Sequence, residues 1–121
     1  MDDMRLGAVE SRFADIIWTQ APLSSGELVK LCQAELGWKK STTYTVLRKL
    51  CDRGIFKNEN GIVTPVISRE EFYTHQSRHF VEETFDRSLP AFLAAFMGGK
   101  TISDAEAEEL KAVIDRFRKE G

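Results

Sequence analysis

The sequence has little of what metal or disulfide chemistry requires. Its two cysteines lie far apart, and its two histidines, His75 and His79, have no third histidine or nearby cysteine to complete a metal site. It also contains no HExxH motif, no glycine-rich phosphate loop and no readable Ser, His and Asp set. We therefore expect no enzyme activity, no cofactor and no metal site. We expect Cys32 and Cys51, each on an apolar helical face, to be buried reduced thiols.

Long apolar runs are absent as well. No apolar segment reaches the roughly 18 residues that a membrane-spanning helix needs, and Met1 to Arg12 holds no run typical of a signal peptide. These absences predict a cytoplasmic protein with no membrane partner. With 121 residues, 42% of them hydrophobic, the chain can build one core. About a third of the unfolded chain's surface stays exposed at this size, which leaves apolar surface for a partner chain.

Acidic and basic residues are unevenly distributed along a chain whose net charge is −2. Between Leu36 and Lys57 six basic residues accompany one acidic residue, whereas residues 67–121 carry eight basic and eleven acidic residues. A basic segment in an acidic chain is either a solvated surface or a site for a polyanion such as DNA.

Apolar spacing and helix-end signals predict two helices before this basic segment. The first covers Ala8 to Gln20 and should bury one stripe of side chains: Val9, Phe13, Ile16 and Ile17. The second begins at a capping box formed by Ser24 and Glu27, and it ends near Leu36 at Gly37.

The basic segment WKKSTTYTVLRKLCDRG predicts a third helix, with Ser41 as its N-cap and Gly54 just beyond its end. At 100° per residue one face carries the inward side chains Thr43, Val46, Leu47 and Leu50. The opposite face carries the outward ones, Ser41, Tyr44, Thr45, Arg48, Lys49 and Asp52. Polar residues therefore cover the outer face of this helix from its N-terminal end.

A strand-like period follows Gly54. It predicts strands at Ile55–Asn58 and Ile62–Val66, joined by a turn at Asn60 and Gly61, with Pro65 suited only to an edge strand. Three helices and a hairpin make a winged helix-turn-helix, so the predicted fold is mainly α with a small β-hairpin. We place this domain at residues 1–67 and a helical dimerisation region at residues 68–121.

In a winged helix-turn-helix, the N-terminal end of the third helix enters the DNA major groove and the wing lies near the phosphate backbone. The candidate DNA-binding residues are Lys39, Lys40, Ser41, Thr42, Tyr44, Thr45, Arg48, Lys49, Lys57, Asn58 and Asn60.

The second half of the chain reads as three more helices, which begin at Ser68, Ser88 and Ser103, the first running to about Arg87. They carry more apolar surface than a lone arm can cover. We expect pairing with a second copy through Phe85, Leu89, Phe92, Leu93, Phe96, Leu110, Val113, Ile114 and Phe117.

The region from Trp38 onward also resembles a known signature. Trp38, Thr42, Thr45, the run VLRKL and a closing RG are similar to the recognition-helix pattern of the penicillinase-repressor family (BlaI/MecI/CopY type) of bacterial transcriptional repressors. The segment LGAVESRFADIIWTQAPLSSGEL is similar to the family's first helix, proline-bearing turn and second helix. The resemblance covers nearly the whole chain. It implies homodimers that bind palindromic operators, and it places Thr42, Thr45 and Lys49 on family positions associated with DNA contact.

Two departures from the family concern the inducing signal. Copper-responsive members carry a cysteine-rich C-terminal segment, but no cysteine follows Cys51 here, so copper sensing is not expected. Members linked to antibiotic resistance are cut between Asn and Phe by a signal-linked protease, whereas here Phe96 follows Ala95. A signal-linked protease is thus a partner that only the resemblance implies.

The sequence as a whole predicts a DNA-binding transcriptional repressor that acts as a homodimer on an inverted-repeat operator. Two alternatives stay open. One is a winged-helix protein-interaction module, in which the basic outer face is incidental. The other is a ligand-sensing regulator with a pocket between the arm and the winged domain.

Overall fold

Six helices and three short strands follow one another along residues 5–119, the part of the chain that this computed structural model describes. The mainly helical prediction with a small hairpin is confirmed. A division into two compact units falls between Phe80 and Val81. The elements are α1 (Ala8–Gln20), β1 (Leu23–Ser24), α2 (Ser25–Leu36), α3 (Lys40–Asp52), β2 (Phe56–Glu59), β3 (Ile62–Pro65), α4 (Arg69–Thr84), α5 (Leu89–Met97) and α6 (Asp104–Phe117).

Local signals correctly predicted the ends of the first two helices. Helix α1 has the predicted bounds, and the Glu10 carboxylate accepts a hydrogen bond from the Gly7 N–H at 3.1 Å. At the start of α2 the Ser24 N–H donates to Glu27 at 2.9 Å, and the Glu27 N–H donates to Ser24 Oγ at 3.0 Å. Gly37 ends α2 with a φ of 69°, in the left-handed region that glycine adopts without strain.

Helix α3 begins earlier than predicted, because its N-cap is Lys39 and not Ser41. The preceding Trp38 stacks on Phe13 with ring centroids 5.3 Å apart. The backbone N–H of Trp38 donates to the Cys32 carbonyl at 3.3 Å. These contacts place the turn into α3 immediately after Trp38, so packing outweighs the preference of serine for the N-cap position.

The strands form a sheet in the order β1-β3-β2. The predicted hairpin turn is confirmed, since Asn60 and Gly61 have φ angles of 54° and 79°. The two-residue strand β1 was not predicted, and it makes β3 the central strand. At Pro65 itself, however, β3 pairs with β2 alone, so Pro65 occupies an edge position as predicted. Because β1 pairs only with Ile62 and Val63, Pro65 lies beyond the end of that ladder and costs it no hydrogen bond.

The core of the first unit lies between α1, α2, α3 and the sheet. Its buried apolar side chains are Phe13, Ala14, Ile16, Ile17, Leu23, Leu28, Cys32, Leu47, Leu50, Ile55, Phe56, Val63 and Phe72. Val9, predicted to be inward, is 51% exposed. It lies in the first turn of α1, at the end of the buried stripe that Phe13, Ile16 and Ile17 form. Both cysteines are free thiols, with Cys32 buried and Cys51 only half-buried, so the burial prediction holds in full for Cys32 alone.

The first half of α4 belongs to this core. Phe72 is fully buried and lies 5.5 Å from the Trp18 ring, while Trp18 Nε1 donates to the Ile67 carbonyl at 3.1 Å. A chain ended at the predicted boundary, Ile67, would lose a core phenylalanine. Helix α4 ends at Thr84, short of the predicted Arg87, because Asp86 and Arg87 adopt φ angles of 51° and 66° that no right-handed helix contains.

The second unit contains the end of α4, α5 and α6. Ser88 and Ser103 cap α5 and α6 as predicted, each accepting a backbone N–H at 3.1 Å. Phe92 contacts Phe85 and Phe96 with ring centroids 5.5 and 6.1 Å away. Between residues 81 and 119, however, not one side chain is buried. Across residues 5–119, no helix is both long enough and apolar enough to cross a membrane.

Candidate nucleic-acid interface

Helix α3 is oriented as its periodicity predicted. Thr43, Leu47 and Leu50 are buried, and Val46 is half-buried. The exposed side chains of the same helix include Lys40, Ser41, Thr42, Thr45, Arg48 and Lys49. We call this exposed set, together with the exposed N-cap Lys39, the α3 face. It presents hydroxyl and cationic groups and no acidic group before Asp52.

The α3 face is most positive at the N-terminal end of the helix. Lys39 supplies no side-chain acceptor to the first turn, so the first backbone N–H groups have no side-chain cap. Lys39 and Lys40 flank these donors, and neither has an ion pair within residues 5–119. Uncapped N–H groups, the helix dipole and two cations all favour an anion at this end.

Besides buried Thr43, two residues of α3 have hydroxyl groups that already form hydrogen bonds. The Thr45 hydroxyl donates to the Ser41 carbonyl at 2.9 Å, which leaves its oxygen free only to accept. The Tyr44 hydroxyl donates to Ser25 Oγ at 3.1 Å, and Tyr44 is half-buried. Tyr44 therefore lies at the edge of the α3 face, against the start of α2.

The cations on the second half of α3 differ in their surroundings. Arg48 is exposed and has no ion pair with any residue that the structure describes. Lys49 Nζ lies 2.7 Å from Glu10 Oε2, and its side chain is 58% exposed. This hydrogen bond is the main reason that the pKa of Glu10 is lowered, with the Gly7 N–H and the charge of Arg53 acting in the same direction. Glu10 was not predicted as part of the site, because no local pattern connects α1 with α3.

The wing carries the remaining predicted residues. Lys57, Asn58 and Asn60 are exposed on β2 and its turn, and Lys57 lies 3.5 Å from Glu59. Because both side chains of that pair are more than half exposed, it is worth little and leaves Lys57 available to another anion. A depression of about 220 Å³ separates α3 from β2, lined by Tyr44, Leu47, Arg48, Cys51 and Asn58. The fold thus brings Asn58 beside Arg48, as the wing prediction requires.

The predicted pairing residues all lie in the second unit. Phe85, Phe92 and Leu93 are half-buried, whereas the others are exposed: Leu89, Phe96, Leu110, Val113, Ile114 and Phe117. Phe117 is 76% exposed. Their role in pairing stays a prediction, as does the role of each residue of the α3 face in binding DNA.

Within residues 5–119, no three side chains of His, Cys, Asp or Glu come close enough to hold an ion. Burial raises the pKa of both Cys32 and Cys51, which keeps these thiols protonated and unreactive near neutral pH.

Comparison with known proteins gives consistent matches over most of the chain. A family model described as penicillinase repressor matches residues 6–116. The methicillin resistance regulatory protein MecI of Staphylococcus aureus (strain Mu50 / ATCC 700699) is 20% identical over 115 residues, which cover 92% of this chain and 94% of that protein. The MecI proteins of Mammaliicoccus sciuri and Staphylococcus epidermidis are each 19% identical over 115 residues, with the same coverage.

Proposed function

The chain belongs to the penicillinase repressor family and is a transcriptional repressor, and we propose that it acts as a homodimer on an inverted-repeat operator. The observation that carries the proposal is the α3 face, where hydroxyls and two lysines, Lys39 and Lys40, surround a helix N-terminus that has no side-chain cap. Neither lysine has an ion pair among residues 5–119. Such a surface fits the sugar-phosphate backbone and the base edges of a major groove. Along α3 itself no acidic residue precedes Asp52, and the Glu10 carboxylate beside this face is paired with Lys49 at 2.7 Å.

Each part of the face has a separate role in the proposal. Lys39, Lys40 and the first-turn N–H groups bind phosphates, which fixes the helix in the groove. Ser41, Thr42 and Thr45 approach base edges, and Arg48 has the forked donor geometry that suits guanine. Lys57, Asn58 and Asn60 contact a second stretch of backbone from the wing.

Lys49 requires an exchange of partners. Its ammonium group is held by Glu10 at 2.7 Å in the chain without DNA. A phosphate oxygen is an equally strong acceptor, so Lys49 can leave Glu10 when DNA approaches, at the cost of an exposed ion pair worth about 0.2–1 kcal/mol. We therefore assign Lys49 a smaller net contribution to affinity than Arg48.

The second unit supplies the dimer in this proposal. Its apolar side chains remain uncovered in a single chain, and surfaces of this kind usually mark an interface. Two-fold pairing through α5 and α6 presents two copies of the α3 face. An inverted repeat then follows, with half-sites separated by about one helical turn, roughly 34 Å, or a multiple of it.

The family resemblance implies a signal-linked protease as a partner, but the family's Asn–Phe cleavage pair is not matched here, because Phe96 follows Ala95. Proteolytic relief of repression is therefore not part of this proposal. The peptide bond between Ala95 and Phe96 lies inside α5. A protease needs an extended substrate, so cutting there would require α5 to unwind locally first.

The test is a gel-shift titration with DNA from the promoter of the protein's own operon. We expect the unchanged chain to bind, and we expect Arg48→Ala to weaken binding by about 1–3 kcal/mol per base contact, roughly fivefold to over a hundredfold. Lys111→Ala is the matched control, because Lys111 is a 70% exposed cation of the second unit. Equal affinities for all three proteins would contradict the assignment of the α3 face. A protein-interaction module would bind no DNA at all.

A further inference from the structure

One residue at the start of α2, Ser25, forms hydrogen bonds with both the wing and the recognition helix α3. Its backbone N–H donates to the Gly61 carbonyl in the wing turn at 2.8 Å. Its side-chain oxygen accepts from the Tyr44 hydroxyl, on α3, at 3.1 Å. Ser25 therefore links two separate parts of the proposed DNA surface.

The adjoining strand β1 strengthens the link to the wing. Ser24 pairs with Ile62 and Leu23 pairs with Val63, so the end of β3 nearest the turn is attached to the start of α2 by consecutive residues. This attachment matters because β2 and β3 have only four residues each, and an isolated two-stranded hairpin is marginal in water. The position of the wing thus depends on the start of α2.

The Tyr44 hydrogen bond completes the connection on the side of α3. Buried Thr43, Leu47 and Leu50 attach the inner face of α3 to the core, whereas the Tyr44 hydroxyl forms a contact at the outer edge of the helix, near the wing. Tyr44 lies at that edge and lines the depression with Arg48 and Asn58. Its ring is half-buried, which restricts the directions in which the hydroxyl can point.

We infer that Tyr44 and Ser25 are positioning residues that set the wing at a fixed place relative to α3, without contacting DNA themselves. The inference rests on the proposed function, since it concerns how the two DNA-contacting elements are prearranged. A surface that is prearranged loses less conformational freedom on binding, so its affinity is higher for the same contacts. Tyr44, predicted from the sequence as a DNA contact, is here assigned to the support of Arg48 and Asn58.

A double-mutant cycle on the full-length protein tests this inference. Tyr44→Phe keeps the ring and removes only the hydroxyl, and Ser25→Ala removes the acceptor while Ser24 continues to cap α2. We expect each variant to lose about twofold to tenfold in affinity per half-site, the range for one ordinary hydrogen bond. We expect the double variant to lose no more than either single one, because both remove the same bond.

The opposite outcomes are distinct. If Tyr44 and Ser25 each touch DNA independently of their shared hydrogen bond, their losses will multiply in the double variant, and the inference is overturned while the proposed function stands. Unchanged affinity in both single variants also overturns it. A positioning role is supported over a purely structural one by two results together. The affinity losses do not multiply in the double variant, and each variant unfolds within a degree or two of the unchanged chain. An unchanged chain that binds no DNA defeats both proposals.

Discussion

Raising the salt concentration should weaken operator binding steeply, and the α3 face allows the slope to be worked out. Lys39 and Lys40 have no ion pair among the described residues, and Lys57 has only an exposed one. If each meets one phosphate, a dimer makes about six such contacts. The logarithm of the binding constant falls by about 0.9 per contact for each tenfold rise in salt, which gives a slope of about −5. Affinity should then fall roughly a thousandfold between 50 and 200 mM salt.

Removing two of these cations gives the sharpest form of the test. Lys39→Gln combined with Lys40→Gln deletes about four contacts from a dimer, so the slope should become shallower by about 3 to 4. Folding should change little, because both side chains are exposed and unpaired within residues 5–119. Fluorescence anisotropy with labelled operator DNA, titrated at several salt concentrations, measures the slope directly.

Lys111→Gln serves as the matched control, since it removes an exposed cation outside the α3 face. Its slope should equal that of the unchanged chain. A salt slope shallower than about −2 for the unchanged chain would refute the assignment of the α3 face to DNA. A double variant with the same slope as the unchanged chain would refute the assignment of Lys39 and Lys40 to phosphates. A shallow slope would favour an apolar protein interface, whose strength hardly depends on salt. A steep slope that is unchanged in the double variant would mean that other cations make the phosphate contacts.

Three further predictions concern folding, pairing and pH. Leu47 is only 2% exposed, so Leu47→Ala should lower the free energy of unfolding, measured in urea, by about 2–5 kcal/mol. Thr45→Ala on the α3 face should lower it far less, and equal decreases would mean that α3 is rotated about its axis. Ile114→Asp should sediment as a monomer at micromolar concentrations where the unchanged chain is a dimer, and a monomeric unchanged chain would contradict the pairing surface. The pKa of Glu10 is lower in the folded protein than its ordinary value of 4.5, so the charged carboxylate stabilises the fold. This stabilisation is present above pH 4.5 and is lost as the pH falls through the lower pKa of the folded protein. Lys49→Met should remove most of this pH dependence, which amounts to about 1 kcal/mol or less. If the variant and the unchanged chain lose equal stability in acid, the Lys49–Glu10 ion pair does not stabilise the fold.

Signals contained within a few residues predicted much of this fold. The capping box at Ser24 and the turn at Asn60 and Gly61 depend on neighbours in sequence, and the structure has both. Strand β1 depends instead on β3, nearly forty residues away, and two residues carry no period that could reveal it. The N-cap at Lys39 was missed for the same reason, since it follows from the packing of Trp38.

The candidate site divides in the same way. Periodicity alone predicted which side of α3 is exposed, because the inward residues of one helix share one face. It could not predict which outward side chains already have partners. Glu10 holds Lys49 and Ser25 holds Tyr44, and both partners come from other helices. These two contacts change the expected contribution of each residue. Lys49 is exposed as predicted, whereas Tyr44, predicted to point outward, is half-buried.

The lack of any buried side chain between residues 81 and 119 has a consequence for how much repressor a cell can keep. With the pairing that we propose, the second copy supplies the core that α5 and α6 lack, so their folded fraction rises with the amount of protein synthesised. Newly made chains at low abundance would spend longer with these helices open to housekeeping proteases. Turnover would then be fastest when the repressor is scarce, and accumulation above a threshold would protect the pool.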